Sequence, residues 1–159
     1  NDKNISNDKS KFRIENHRPV TLVFTKEKSE NGIKKALFDG NTAVYYNELL
    51  IGKSKFLKPL VESSIKLIRK ENSSEGYSEV GKSSIQKIII KNIANAPFIL
   101  KNKTPFTFET NNDIILISPK STSEISLKTK NKIDVNNLTF YVLNAITAPK
   151  KYLEINLKL

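Results

Sequence analysis

Chemistry in this chain would have to begin from very few residue types. Its 159 residues include one His, His17, and no Cys, Met or Trp. Without Cys there is no disulfide, thiolate metal site or Cys nucleophile, and a single imidazole rules out a His-rich metal cluster. A Ser-His-Asp relay would need His17 as its base. No Ser in a nucleophile-elbow context accompanies it, and His17, beside Arg18 and Pro19, is read as a surface or packing residue at the entrance to a strand. Asp113 heads an apolar run and could ligate a cation. Asn111-Asn112-Asp113 is better explained as a turn held by side-chain capping. Glu109, four residues before Asp113 across that turn, is poorly placed for a carboxylate pair. Tyr45 and Tyr46 could form an aromatic platform for a sugar, but neighbours on a strand face opposite sides, which sends one of them to the core. The five glycines, at 32, 40, 52, 76 and 81, fit neither standard phosphate-binding pattern. G-x-S-x-G, H-E-x-x-H and EF-hand spacings are also absent. No catalytic, cofactor-binding or metal-ligating residue is assigned.

The elements that would position such residues fall into three regions. Residues 1–16 are polar, with isolated Ile5, Phe12 and Ile14, and read as a fraying tail. In 17–63, Val20-Thr21-Leu22-Val23-Phe24 reads as a strand covered on both faces. Ser29 can cap a helix bearing Ile33, Ala36 and Leu37 at i, i+3 and i+4, with Gly40 at the left-handed C-terminal position. Thr42-Ala43-Val44-Tyr45-Tyr46 follows as a second strand, so the order is that of a βαβ crossover. One such unit cannot cover both faces of its own sheet, which makes it the edge of something larger or an appendage on a neighbour. Phe56, Leu57, Leu60 and Val61 suggest a short helix or turn kinked at Pro59. Residues before proline, Lys58, Ala96 and Ala148, are expected to be extended.

From 64 to 159 the pattern changes to short β-rich runs at 64–69, 85–93, 98–100, 105–109, 113–117, 123–128, 138–143 and 153–159. Leu153, Ile155, Leu157 and Leu159 alternate with Glu154, Asn156 and Lys158, as one buried face and one wet face require. Seven or eight strands in about 95 residues is the size of an immunoglobulin-like β-sandwich. The fold class is therefore mainly β, a sandwich preceded by a small strand-helix-strand α/β unit. The expected core is Leu22, Phe24, Leu37, Ile88, Ile90, Phe98, Leu116, Ile125, Leu127, Phe140, Val142, Ile155 and Leu157.

Charge narrows the partners. The formal net charge is +11, with 15 basic and 10 acidic groups in residues 1–75 and 12 and 6 in residues 76–159, so neither half is a basic arm. Lys outnumbers Arg 24 to 3, whereas base readout and phosphate clamps favour Arg. No nucleic-acid partner is expected. No run approaches the ~18 apolar residues of a membrane span. A chain that lacks Met and starts Asn1-Asp2-Lys3 is read as having lost an N-terminal piece.

Two blocks carry a family resemblance. His17-Arg18-Pro19-Val20-Thr21-Leu22-Val23-Phe24-Thr25-Lys26-Glu27-Lys28, Ile33-Lys34-Lys35-Ala36-Leu37-Phe38-Asp39-Gly40-Asn41-Thr42 and Leu50-Ile51-Gly52 resemble the end of the catalytic region in exported bacterial proteins of the PHP (polymerase and histidinol phosphatase) superfamily. Asn102-Lys103-Thr104-Pro105-Phe106-Thr107 and Val142-Leu143-Asn144-Ala145-Ile146-Thr147-Ala148-Pro149-Lys150 resemble the immunoglobulin-like domain that follows it. The resemblance implies an upstream βα barrel whose His, Asp and Glu residues hold two or three divalent metals, zinc among them, that activate water against a phosphoester. Of the last ligand pair, Asp-x-His, only Asp8 of Asp8-Lys9-Ser10 has a counterpart, and His17 belongs to the strand motif.

The resulting expectation is a non-catalytic accessory portion of a PHP-like phosphoesterase, without its own cofactor, packing against or capping the barrel. Its partners would be that barrel or a second copy meeting it through the α/β edge, and its location periplasmic or extracellular. The alternative is a free-standing exported module whose loops at 95–97, 111–113 and 144–149 contact a glycan or protein. An exposed apolar patch within 17–66 would favour the first reading.

Overall fold

The computed structural model describes residues 18–70, 84–109, 113–129 and 135–159. The tail at 1–16, His17, Asn111, Asn112 and the loop expected at 71–76 lie outside the described residues. In chain order the described elements are β1 (Val20–Val23), α1 (Glu30–Phe38), β2 (Thr42–Tyr46), β3 (Leu49–Gly52) and α2 (Ser54–Ser64). There follow β4 (Ile65–Arg69), β5 (Ser84–Asn92), β6 (Phe98–Asn102), β7 (Thr107–Phe108), β8 (Ile114–Ile117), β9 (Thr122–Thr129), β10 (Asn137–Ala148) and β11 (Lys151–Lys158).

Two sheets form the sandwich expected from the periodicity. One has the order β4-β5-β9-β7; the other runs β1-β2-β3-β10-β6-β8, with β11 on the remaining edge of β10. Alternation selects what each sheet buries. Leu67, Ile88, Ile90, Ile125 and Leu127 face inward from the first sheet, against Leu100, Leu138, Phe140, Val142, Ile155 and Leu157 of the second. Complete burial of such a side chain contributes about 1.5–3 kcal/mol, so this layer dominates the stability of the fold.

β10 joins the two parts of the chain. Phe140, Tyr141 and Val142 pair antiparallel with β6, and Ala145 and Ile146 pair in parallel with Leu50 and Ile51 of β3. The strand expected at 138–143 therefore continues to Ala148, and 144–148 is a correction to the loop reading; only Pro149 and Lys150 form the turn, with Lys150 at φ 59°. β3 itself was not expected as a strand. Its four residues are too few to show a period, and it is fixed by β2 on one side and β10 on the other.

Helix α2 covers the seam. Leu57 and Val61, one turn apart, are fully buried in the same core as the sandwich, and Phe56 stacks on Phe24 at 4.8 Å. Glu62 Oε1 accepts the main-chain N–H of Asn156 at 3.0 Å, so the helix also satisfies a polar group of β11. Lys58, expected to be extended, lies inside this helix, with Pro59 after it. Burial of Leu57 and Val61 outweighs the preference imposed by Pro59, which is exposed.

The expected crossover is also corrected. β1 and β2 are antiparallel, with Leu22 opposite Ala43 and Val23 opposite Thr42. Phe24 N–H donates to Asn41 C=O at 2.9 Å, so α1 leaves and returns at one end of a hairpin and never crosses the sheet. Its caps are those expected: Ser29 Oγ accepts from Gly32 N–H at 3.0 Å, and Gly40 has φ +62°. At Val20 and Thr21, β1 is exposed and therefore not covered on both faces. Two expected core residues are outside. Leu37 is half exposed because α1 buries only Ala36, and Leu116 is 61% exposed because the pleat of β8 turns Ile117 inward instead.

Candidate functional site

The candidates for chemistry stay apart. Asp113 is exposed and gives its main-chain carbonyl to Asn102 N–H at 2.7 Å, while Glu109, also exposed, donates its N–H to Ser126 C=O. They belong to different sheets, so no carboxylate pair forms. Among the described residues, no three of His, Cys, Asp and Glu could hold a metal ion together. His17 and Asp8 lie outside the described residues. Tyr45 is half buried against the core, and Tyr46, on the opposite face, is exposed, so no two-ring platform exists.

Side-chain chemistry elsewhere is structural. Asn92 is buried; its Nδ2 donates to Ala96 C=O at 2.8 Å and Ser118 C=O at 3.0 Å, and its Oδ1 accepts from Ala94 N–H. This ties the loop at 95–97 to the β8–β9 turn. On the surface, Lys70 bonds Glu124 at 2.8 Å and holds its carboxyl below the usual Glu value, with Lys87 adding to the effect. Lys103 is held above its usual value by its bond to Glu154 and lies over the ring of Tyr141.

The surface that stands out is apolar. On the β1–β3 ribbon, Val20-Tyr45-Leu50 and Leu22-Ala43-Gly52 form rows on the inner face. Gly52 is required there, because a Cβ would come within 2.8 Å of the Ala43 Cβ. The outer face carries Thr21-Val44-Ile51 and Tyr46-Leu49, and Val44, Tyr46, Leu49 and Ile51 are all exposed. On α1, Ile33 and Leu37 are exposed one turn apart and Phe38 is 91% exposed. Of the twelve large hydrophobics exposed among the described residues, eight lie between Val20 and Ile51. Four of them, Val44, Tyr46, Leu49 and Ile51, share the outer face of the ribbon as one exposed apolar patch.

A second feature sits where this unit meets the sandwich. A cavity of about 270 Å³ is lined by Val20, Leu22, Tyr45, Leu60, Pro97 and Phe98, with Glu48 and Asn144 also at its wall. Burial, reinforced by the Glu48 charge, raises the Tyr45 phenol above its ordinary value. Its walls come from both parts of the chain, with unfilled space between them.

A model of an Ig-like domain family matches residues 71–158, more than half of the chain. The chain belongs to this Ig-like domain family. No curated protein matches it. Among solved structures, the Ig-like chain is similar to a two-domain protein from Bacteroides vulgatus described as containing a predicted PHP-like metal-dependent phosphoesterase. Identity is 29% and the TM-score 0.71, over 90% of this chain and 39% of the other. The Ig-like chain thus spans about two fifths of that protein's length. The structural match is longer than the family match, which begins after β4, so it extends into the α/β unit. Among the described residues, no helix of the Ig-like chain is long and apolar enough to cross a membrane.

Proposed function

We propose that this chain is the accessory portion of a PHP-like metal-dependent phosphoesterase and is non-catalytic itself. In this reading it docks on the catalytic domain through the outer face of its α/β unit. The observation that carries the reading is the exposed apolar patch of Val44, Tyr46, Leu49 and Ile51 on that face. A surface of this kind is stable in water only at a cost, and a permanent neighbour removes that cost. The occupant is argued from length. The Bacteroides vulgatus protein carries about three fifths of its chain beyond the part matched, and it is the protein described as containing the phosphoesterase. Divalent metals and the hydrolytic water would belong to that domain. Export to the periplasm or outside the cell is part of the same proposal, and cell fractionation tests it.

The reading as a glycan-binding or protein-binding module has less support. Of its three expected contact loops, 144–148 is strand, and the Asn144 side chain is consumed by internal bonds.

The test compares the whole open reading frame with residues 1–159, measuring bound metal and hydrolysis of a generic phosphodiester. Metal and activity in the longer protein alone, lost when Val44→Asp and Ile51→Asp are combined in it, are the expected result. Activity in neither form, or in residues 1–159 alone, overturns the proposal.

A further inference from the structure

Among the described residues, no strand pairs with the outer edge of β8. β8 ends the seven-stranded sheet, at the opposite end from β1, and reads Ile114-Ile115-Leu116-Ile117. Natural edge strands are guarded by shortness, charge, proline, a bulge or a covering element. β11 shows such a guard, with Glu62 of α2 on its Asn156 N–H. β8 is guarded by its four-residue length and by Asp113 and Pro119 at its ends, but it has no charge or proline within it, and Ile114 and Leu116 are exposed.

Hydrogen-bond parity fixes which groups are free. Asn102 N–H donates to Asp113 C=O, and the β6–β8 register places Leu100 opposite Ile115 and Phe98 opposite Ile117. Asp113, Ile115 and Ile117 therefore aim their main-chain groups at β6. Ile114, Leu116 and Ser118 aim theirs at the open edge. Ser118 C=O is already taken by Asn92 and Ser121, which among the described residues leaves the main-chain groups of Ile114 and Leu116 to template a new strand.

We propose that two copies of this chain associate through antiparallel pairing of β8 with β8 about a twofold axis at Leu116. In that register Leu116 exchanges both main-chain bonds with Leu116 of the second copy. Inward Ile115 meets inward Ile117, and the outer face gains an unbroken row of Ile99, Leu116, Leu116 and Ile99. Asp113 comes opposite Pro119 of the other copy, where the strand ends in the turn at Lys120. The nearest outward lysine, Lys101, stands opposite Ile114. From strand spacings of ~4.8 Å and a rise of ~3.4 Å per residue, it lies about 20 Å from its symmetry mate, beyond the ~8 Å Debye length at physiological salt. The patch is thus self-complementary, as a twofold interface requires.

Residues 1–159 should show a concentration-dependent monomer–dimer equilibrium by sedimentation. Leu116→Lys and, separately, Ile114→Lys should each raise the dissociation constant at least tenfold, with unchanged circular dichroism. The chain has no Cys, so Leu116→Cys provides a single thiol. It should be captured as a dimer by a short thiol crosslinker, while Ile68→Cys, on the other sheet, should not. A monomer at all concentrations overturns the proposal. So does a dimer indifferent to both lysine substitutions, or one abolished by Val44→Asp, which would place the contact on the α/β face.

Discussion

Asn144 Nδ2 donates to the main-chain carbonyl of Glu48 at 3.0 Å, joining a strand of the sandwich to the β2–β3 turn 96 residues earlier. The same side chain donates to Pro97 C=O at 2.9 Å and accepts from Ile99 N–H at 3.0 Å. The β6–β10 register runs through Leu100–Val142 and would next pair Ile99 with Leu143. There β10 leaves β6 for β3, and the Asn144 amide takes the place of the missing main-chain partners. It also holds Glu48, whose φ is +64°.

Replacing Asn144 tests this hinge between the two parts. Asn144→Leu strands one donor and two acceptors in a buried site and should cost about 2–4 kcal/mol, at roughly 1–3 kcal/mol per unsatisfied buried group, by urea unfolding. Asn144→Asp can donate only when protonated, so its folded pKa rises above the unfolded value. Its bonds are present at low pH and lost as pH rises, and the deficit of this variant should therefore shrink on acidification.

The exposed face and the buried seam should respond oppositely. Ile51→Thr and Phe38→Ser, on surface open to water, should change the stability of residues 1–159 by no more than about 0.5 kcal/mol and should reduce binding of a hydrophobic dye. Leu57→Ala, at a fully buried site shared by α2 and the sandwich, should cost about 2–5 kcal/mol. Equal losses at the two sites would mean that the α/β face is already covered.

Pro59 interrupts the hydrogen-bond ladder of a helix that packing holds in place. Pro59→Ala restores one N–H donor at an exposed position and should stabilise the protein by about 1–2 kcal/mol, the helix gain of roughly 3 kcal/mol being partly offset by a freer unfolded chain. Thermal melting measures it, and a loss of stability would show that the proline ring packs better than its exposure implies.

Glu124 is held below the usual Glu value first by its hydrogen bond from Lys70 and also by Lys87. A depressed folded pKa contributes stability above the unfolded pKa and loses it as pH falls through the folded one. Wild type should thus weaken on acidification below the ordinary Glu range, and Glu124→Gln should remove that share of the slope. Added salt should shrink the difference between the two, because the pair is exposed.

Period-two alternation at Ile125–Leu127 and Leu153–Leu157 named the inner face of the sandwich, and the caps at Ser29 and Gly40 were legible because each is a local contact. Leu37 and Leu116 were misplaced because sequence periodicity gives a stripe without saying which neighbour, if any, reaches it. The helical Lys58, the antiparallel β1–β2 pair and the extension of β10 through Asn144 depend on contacts with residues far away in sequence. Composition and spacing by themselves determined the fold class. Only the tertiary structure decided which strand edges and apolar faces stay open, because that depends on which elements happen to lie beside them.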